Sequence, residues 1–373
     1  MNSKNIILKE NTFKIGDDVL QRGLIKNSQS PSKKSTIEKV LKTFLSHEMV
    51  YTSGTWTWIY SQQKELFDTL RGASYEEVER QYSNFFRSRV ISNGLVSSNL
   101  LESMGGGDWK DRLEEESARY EYVFTQDSTI RRNFVDLLMQ DIHTCKELTG
   151  LDDISQLDVS LCGNPYGIRM GESLITSDAP RHFCDATRIY EMTIDIKEPV
   201  IYEIGGGHGG LLSNLFKVFG DKKFIYINCD ILPTALSFIY MIENGEKERN
   251  VYVNSTNTIT KEEMRCNNVI LNIYSEKILS FEGSIDVVFN SHSLSEMDYD
   301  DVKTHMTSIN KSGASYFYHI NSNSFPWKET KKGHIDVSAS DFPIEGYKKL
   351  THSISPWVCG GNSRYREFLY ERK

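Results

Sequence analysis

One stretch decides the fold of the second half of this chain: Val200-Ile201-Tyr202-Glu203-Ile204-Gly205-Gly206-Gly207-His208-Gly209-Gly210. It begins as an apolar run that contains a carboxylate and continues as a loop made almost entirely of glycine. The apolar positions from Leu211 to Phe219 then fall on one face of a helix, which Gly220 ends. The order of strand, glycine loop and helix predicts the first unit of a parallel α/β sheet.

The glycines predict a nucleoside-binding crevice. Without Cβ atoms, the loop can turn sharply and its backbone can approach a ligand closely. The segment from Lys223 to Asp230 predicts a second strand that ends in an acid, placed so that Asp230 can accept hydrogen bonds from ribose hydroxyls. Gly205-x-Gly207-x-x-Gly210 followed by Asp230 would also fit an NAD site.

Glu203, two residues before the first glycine, separates the two classes of cofactor. In a dinucleotide fold its carboxylate would lie close to a pyrophosphate and repel it, whereas S-adenosylmethionine has no phosphate and carries a cationic amino group and a sulfonium. The sequence therefore favours S-adenosylmethionine and a methyltransferase, with an NAD(P)-dependent oxidoreductase as the alternative. The residues expected at the cofactor are Glu203, Gly205, Gly206, Gly207, Gly209, Asp230, Ile231, Asn290 and Ser291.

Further strands are expected along the rest of the chain. Ile285 to Asn290 predicts the fourth parallel strand, whose C-terminal end opens on the crevice. Asp298 to Ser312 predicts a helix with Asp298 as its N-cap, and Ala314 to Asn321 predicts a fifth strand. Arg364 to Tyr370 alternates as in an antiparallel edge hairpin. The predicted fold class is α/β, a Rossmann-like sheet of the class I methyltransferase type preceded by a mainly helical domain.

Three regions are predicted along the chain. Residues 1–35 are polar and predict a flexible lead-in, residues 36–190 predict a mainly helical N-terminal domain, and residues 191–373 predict the Rossmann-like domain. Apolar residues between Ile130 and Ile142, Leu137 among them, recur three or four apart, as on one face of a helix. Ser177 to Tyr190 predicts a helix that leads into the Rossmann-like domain.

The composition is that of an ordinary globular protein. Of its 373 residues, 39% are hydrophobic and 25% are charged, which allows a sizeable core. The formal net charge of -8 argues against a nucleic-acid partner, because affinity for the phosphate backbone comes mainly from clustered Lys and Arg. The six cysteines occur singly, and no apolar run has the length of a membrane span or signal peptide. These features predict a reduced, cytoplasmic protein.

Four segments together resemble the sugar O-methyltransferases of bacterial surface-polysaccharide pathways. The segments are Gly163-Asn164-Pro165, the Glu203 to Gly210 loop, Asp230-Ile231-Leu232-Pro233 and Asn290-Ser291-His292-Ser293-Leu294-Ser295-Glu296-Met297. The resemblance covers roughly residues 160 to 325 and implies methyl transfer from S-adenosylmethionine to a sugar hydroxyl of an O-antigen, capsule or similar glycan. Relatives often carry an aromatic residue where this chain has His208, and the identity of the acceptor is the least transferable feature.

Transfer to a hydroxyl needs a base. His292 is the first candidate, because it follows the predicted fourth strand where the crevice opens and imidazole titrates near neutral pH. Glu296, one helical turn later, is the candidate that orients the imidazole or binds a hydroxyl of the acceptor. Each also has a structural interpretation: His292 would hydrogen-bond the backbone, and Glu296 would cap the next helix.

Six side chains are candidates for contact with the acceptor, each with a structural role as its alternative. They are His208, Tyr166, Arg169, His319, Asn321 and Trp327. Asp298, Asp300 and Asp301 lie at a predicted helix start, where acids complement the helix dipole, so no metal is expected. The expected partner is a sugar or glycan. The sequence leaves open a non-sugar acceptor, a homo-oligomer, peripheral association with a glycan-assembly complex, and a non-catalytic scaffold.

Overall fold

The computed structural model describes residue 38 and residues 128–160, 167–230, 238–239, 251–254, 256–272, 279–323, 337–358 and 364–373. The predicted lead-in over residues 1–35 and the site candidates Tyr166, Ile231 and Trp327 lie outside the described residues. The domain boundaries drawn from the sequence stay predictions.

Five helices and twelve strands make up the regular structure of the described residues. The helices are α1 (Ser128–Thr149), α2 (Ala179–Met192), α3 (Gly210–Phe219), α4 (Lys261–Cys266) and α5 (Tyr299–Ser312). The first six strands are β1 (Ile168–Met170), β2 (Ser173–Ile175), β3 (Val200–Ile204), β4 (Ile225–Cys229), β5 (Tyr252–Asn254) and β6 (Thr258–Ile259). The remaining strands are β7 (Val269–Asn272), β8 (Ser280–Phe281), β9 (Val287–Ser291), β10 (Tyr316–Ser322), β11 (Tyr347–Ile354) and β12 (Tyr365–Arg372). Short 3₁₀ turns span Ile154–Leu157, Ser293–Glu296 and Ala339–Asp341.

A large mixed sheet organises the fold. Its strand order is β11-β12-β10-β9-β3-β4-β7-β5, and β1-β2 and β6-β8 form two small sheets. The neighbours from β10 to β5 pair in parallel, whereas β12 runs antiparallel to both β10 and β11. The predicted α/β class and the antiparallel hairpin at the sheet edge are confirmed. The chain leaves β3 for β4 on one side and returns to β9 on the other, which makes the carboxyl end of β3 a topological switch point, the usual ligand site of such sheets.

Two strands of the parallel set were missed by the sequence pattern. The strands β5 and β7 come between β4 and β9 in the chain, so β9 is the fifth parallel strand and not the fourth, and β10 is the sixth. β5 has three residues and β7 has four, which is too short for an alternation pattern to stand out from a loop.

Helices cover both faces of the sheet. On β3, Ile201 packs with α2 and α3, whereas the next residue, Tyr202, packs into a core that also contains residues of α4 and α5. Because successive residues of a strand point to opposite faces and both faces are buried, nearly every position of these strands is apolar. The predicted inward residues of α5, Val302, Met306 and Ile309, are buried as expected.

The predicted inward face of α1 is wrong at Leu137. The α1 helix buries Leu138 and Ile142 as expected, but Leu137 is 40% exposed and lies off the buried face. Helix α2 begins and ends within two residues of its predicted bounds. Among the described residues, no helix is both long and apolar enough to cross a membrane.

Candidate functional site

The glycine loop between β3 and α3 needs its glycines at alternate positions. Gly205, Gly207 and Gly209 have φ angles of 73°, 56° and 85°, in a region that residues with a Cβ rarely adopt. A Cβ on Gly206 would lie 2.7 Å from Oδ1 of Asn228 and 2.9 Å from Oε2 of Glu203. The loop therefore depends on glycine both for its turns and for its close contact with the ends of β3 and β4.

The backbone N–H groups of this loop are largely engaged within the chain. The bonds are Gly205 N to Cys229 O (2.8 Å), Gly206 N to Asn228 Oδ1 (3.1 Å), Gly207 N to Asp230 Oδ2 (2.6 Å) and Gly209 N to Gly206 O (2.9 Å). A pyrophosphate site in such a loop relies on N–H groups that point at the ligand. Here, two of them donate instead to side chains at the end of β4.

Glu203 is the buried acid of the loop. Its side chain lies at the end of β3 and is 4% exposed, and the hydroxyl of Tyr226 donates a hydrogen bond to Oε2. Burial raises the pKa of Glu203 to about 8, against the opposing effect of the Tyr226 hydrogen bond, and the nearby Asp230 carboxylate raises it further. A cation placed beside Glu203 would stabilise the ionised form that burial disfavours.

Two asparagines fasten the loop to the turn that follows β9. Asn290 donates through Nδ2 to Ile204 O (2.7 Å) and to Ser293 Oγ (2.6 Å). Asn321 donates to Asn290 Oδ1 (2.7 Å) and accepts from the backbone N–H of Ser295 (3.1 Å). Both asparagines are fully buried, and their hydrogen bonds link the end of β3 to the turn after β9. Their contacts with cofactor or acceptor stay predictions.

His292 is held in an unusual conformation. It is the only non-glycine residue with a positive φ, 71°, among those the structure describes. Its Nε2 lies 2.8 Å from Nη1 of Arg181, and its ring lies on Tyr365, with centroids 4.2 Å apart. Because a guanidinium only donates, Nε2 is the acceptor and the imidazole is neutral. Burial, then Arg181 and His182, lower the pKa of His292 well below its ordinary value.

The first turn of α2 brings to the site residues that no sequence pattern had indicated. Arg181 donates through Nη1 to Ser291 Oγ (3.0 Å) as well as contacting His292. Oδ2 of Asp178 lies 3.6 Å from Nδ1 of His182 and 3.7 Å from Nε2 of His208, the histidine of the glycine loop. A Cβ on Gly210 would lie only 2.4 Å from the His182 ring, so α2 rests directly on the start of α3.

His319 and Arg169 are two further candidates from the sequence, and Nδ1 of His319 lies 3.3 Å from Nδ2 of Asn321. His319 is fully buried among Phe317, Phe368 and Tyr370, and burial lowers its pKa to about 3. A sugar could reach this ring only if those aromatic side chains moved. Arg169 lies on β1 of the small hairpin, outside the large sheet.

Glu296 is the last residue of the 3₁₀ turn that follows His292. The hydrogen bond that returns from this turn to the His292 carbonyl is donated by Ser295 Oγ, at 2.9 Å. Helix α5 has Asp298 as its N-cap, as predicted. The described ranges contain no group of three or more His, Cys, Asp or Glu side chains placed to hold a metal ion.

Comparison with known proteins gives matches in structure alone. No protein-family model matches the chain, and no curated protein matches its sequence. The structure is similar to that of the glycopeptide N-methyltransferase MtfA complexed with S-adenosyl-L-methionine, at 10% identity and a TM-score of 0.36, covering 52% of this chain and 94% of that one.

Two further solved structures are of the same kind. A SAM-dependent methyltransferase from Aquifex aeolicus is 15% identical, with a TM-score of 0.32 and coverage of 61% of this chain and 97% of that one. The methyltransferase domain of bacterial CtHen1-CN is 11% identical, with a TM-score of 0.33 and coverage of 50% and 97%. At these identities, the residues of the site, and not the likenesses, carry the functional inference.

Proposed function

We propose that this chain is an S-adenosylmethionine-dependent methyltransferase. The observation that carries the proposal is the glycine loop itself, which presents the buried carboxyl group of Glu203 while its N–H groups donate within the chain. Such a loop suits the cationic amino group and the sulfonium of S-adenosylmethionine. It disfavours the diphosphate of NAD, which needs backbone donors and would meet the acid Glu203 and N–H groups that already donate within the chain.

The residues present fit this cofactor. Glu203 would hold the amino group, and Asp230 at the end of β4 would accept hydrogen bonds from the ribose hydroxyls. Gly206 allows the loop backbone to lie against Glu203 without a steric conflict. When bound, S-adenosylmethionine supplies a methyl group activated by the positive charge on its sulfur.

We infer that the acceptor atom is an oxygen of a sugar, in the assembly of a bacterial surface polysaccharide. Support comes from the four sequence segments that resemble sugar O-methyltransferases, one of which runs through Asn290, Ser291 and His292 at the carboxyl end of β9. The rim there is polar: Ser291 and His292 meet Arg181. His292 stays the proposed base. In this structure its Nε2 lone pair accepts from Arg181, so that hydrogen bond must break before Nε2 can accept the proton of the acceptor hydroxyl.

The test is incubation of the purified chain with labelled S-adenosylmethionine and a panel of polysaccharide fragments and nucleotide sugars. We expect label to enter at least one glycan, with Glu203→Gln reducing the transfer and Asp286→Asn leaving it unchanged. Asp286 is a suitable control because its carboxylate accepts from Val200 N, at the opposite end of β3. Tight cofactor binding with transfer to none of the glycans would overturn the sugar assignment. Failure to bind the cofactor would overturn the methyltransferase assignment.

A further inference from the structure

We propose that Arg181 binds an anionic group of the acceptor, a carboxylate or a phosphate, so that the sugar methylated by this enzyme is an acidic one. The inference rests on the proposed function and adds to it the chemical class of the acceptor. Arg181 lies on the first turn of α2, at the rim formed by Ser291 and His292.

Among the described residues, the hydrogen-bond partners of Arg181 carry no negative charge. Nη1 donates to Ser291 Oγ (3.0 Å) and His292 Nε2 (2.8 Å), and Nη2 lies 3.4 Å from Nε2 of His182. In the part of the chain that the structure describes, Arg181 forms no salt bridge. A guanidinium presents a planar fork of donors that matches a carboxylate or a phosphate. Here the acceptors are a neutral hydroxyl and a neutral imidazole, which bind a guanidinium more weakly than an anion does.

Arg188, two helical turns further along α2, shows the contrast. Its Nη1 lies 2.6 Å from Oε2 of Glu367 and 2.7 Å from the hydroxyl of Tyr318, so its charge is paired inside the protein. Asp185 acts on Arg181 from a distance, and burial raises the pKa of this acid to about 7. At neutral pH, a large fraction of Asp185 is therefore protonated, and it offsets the charge of Arg181 only in part.

The position of Arg181 also links acceptor binding to His292. An anion that takes the Nη1 donor would draw the guanidinium away from His292 Nε2. The Nε2 lone pair could then accept a proton from the acceptor hydroxyl, and the loss of the adjacent positive charge would make the imidazole more basic. A neutral sugar cannot bring about this exchange. Arg181 would therefore select for charge and prepare the base in the same event.

The experiment measures binding of three probes to the full chain saturated with S-adenosylhomocysteine: D-glucuronate, D-glucose 6-phosphate and D-glucose. We expect at least one anionic probe to bind about tenfold or more tightly than glucose, and Arg181→Gln to remove that preference, since charge-assisted hydrogen bonds are stronger than neutral ones. The stronger of the two anions identifies carboxylate or phosphate. Arg181→Lys should retain part of the preference, because it keeps the charge but loses the fork.

The control is Arg265→Gln, an arginine on α4 that is 73% exposed and pairs with Glu262 on the same helix. It should leave all three affinities unchanged. Equal binding of glucose and both anions, an anion preference that survives in Arg181→Gln, or binding of none of the three probes would overturn the proposal. Failure of S-adenosylhomocysteine to bind would instead overturn the proposed function, and the comparison of wild type with Arg181→Gln would then be made on the protein without it.

Discussion

At the scale of single residues, the chemistry of the site depends on the protonation of Glu203. Its carboxyl group is buried, accepts from Tyr226 and has a pKa raised to about 8 by burial. Near neutral pH it is therefore largely protonated before a ligand arrives. A bound ammonium group favours the carboxylate, so binding and deprotonation are linked.

This linkage gives a pH-dependent affinity. Below its raised pKa of about 8, Glu203 must lose a proton for the cation to bind well, so the affinity for S-adenosylhomocysteine should increase as the pH rises from 6 to 8. The limit is about tenfold per pH unit for one proton released. In Glu203→Gln the dependence should disappear, with affinity near that of the wild type at pH 6 and about tenfold weaker or more at pH 8.5, since a charge-assisted hydrogen bond contributes about 1.5–3 kcal/mol. Isothermal titration calorimetry measures both effects.

A matched control separates this effect from a general loss of a buried acid. Asp286→Asn changes the acid at the other end of β3 and should keep the wild-type slope. If Glu203→Gln retained the slope of the wild type, Glu203 would not be the group that meets the cation.

Single residues also show the limit of what the sequence could predict. Glu203 could be proposed from the sequence because the signal is local: an acid two residues before a glycine loop lies beside that loop in the folded chain. Arg181 precedes that loop by more than twenty residues, and nothing in its own segment indicates that α2 rests on α3. Its place in the site follows from packing between elements, which the pattern of one segment does not contain.

At the scale of elements, the loop between β3 and α3 is the part that the sequence specified best. Gly205, Gly207 and Gly209 are the loop positions with positive φ angles. The spacing of the glycines in the sequence therefore indicates where the backbone adopts this conformation. The strands β5 and β7 were missed for the opposite reason: each is short, and its pairing partner rather than its own sequence determines it.

The loop predicts the effect of one added methyl group. Gly206→Ala places a Cβ 2.7 Å from Asn228 Oδ1 and 2.9 Å from Glu203 Oε2, so the Glu203 carboxyl must shift. We expect S-adenosylhomocysteine to bind at least about tenfold more weakly, with stability reduced by about 1–3 kcal/mol, the usual cost of overpacking. Titration calorimetry and urea unfolding measure the two quantities.

Gly283→Ala supplies the control for added bulk. Its Cβ would meet Met264 Cε at 2.5 Å, the flexible end of a side chain in the core outside the glycine loop. Affinity for S-adenosylhomocysteine should be unchanged in this variant. Equal affinity in Gly206→Ala and the wild type would show that the loop does not bind the ligand against Glu203.

At the scale of the whole molecule, a buried polar network joins α2 to β10 and β12 of the large sheet. Tyr318 on β10 donates to Oδ1 of Asp185 (3.0 Å), and Arg188 pairs with Glu367 on β12. Burial raises the pKa of Asp185 to about 7, an effect that nearby arginines oppose. These contacts anchor α2 to the sheet. Because Arg181 lies on the first turn of the same helix, they also help to hold it beside Ser291 and His292.

The raised pKa of Asp185 predicts how stability changes with pH. The folded state holds the proton up to about pH 7, whereas the unfolded chain loses it near its ordinary pKa of 3.8, so the stability due to this group is lost as the pH rises between the two. The loss from this carboxyl is about 4 kcal/mol at most for a shift of about three units. Asp185→Asn should therefore lose less stability than the wild type between pH 5 and 8, as measured by urea unfolding. The exposed control Asp221→Asn should follow the wild type, and a steeper loss in Asp185→Asn would contradict the assignment.

In the function that we propose, the carboxyl-lined glycine loop accepts a cationic nucleoside and rejects a diphosphate. The most direct measurement is isothermal titration calorimetry of the wild-type chain at pH 8 with S-adenosylhomocysteine and, separately, with NAD. We expect saturable binding of S-adenosylhomocysteine and no binding of NAD at the same concentrations. Saturable binding of NAD, with S-adenosylhomocysteine unable to displace it, would contradict the proposed function.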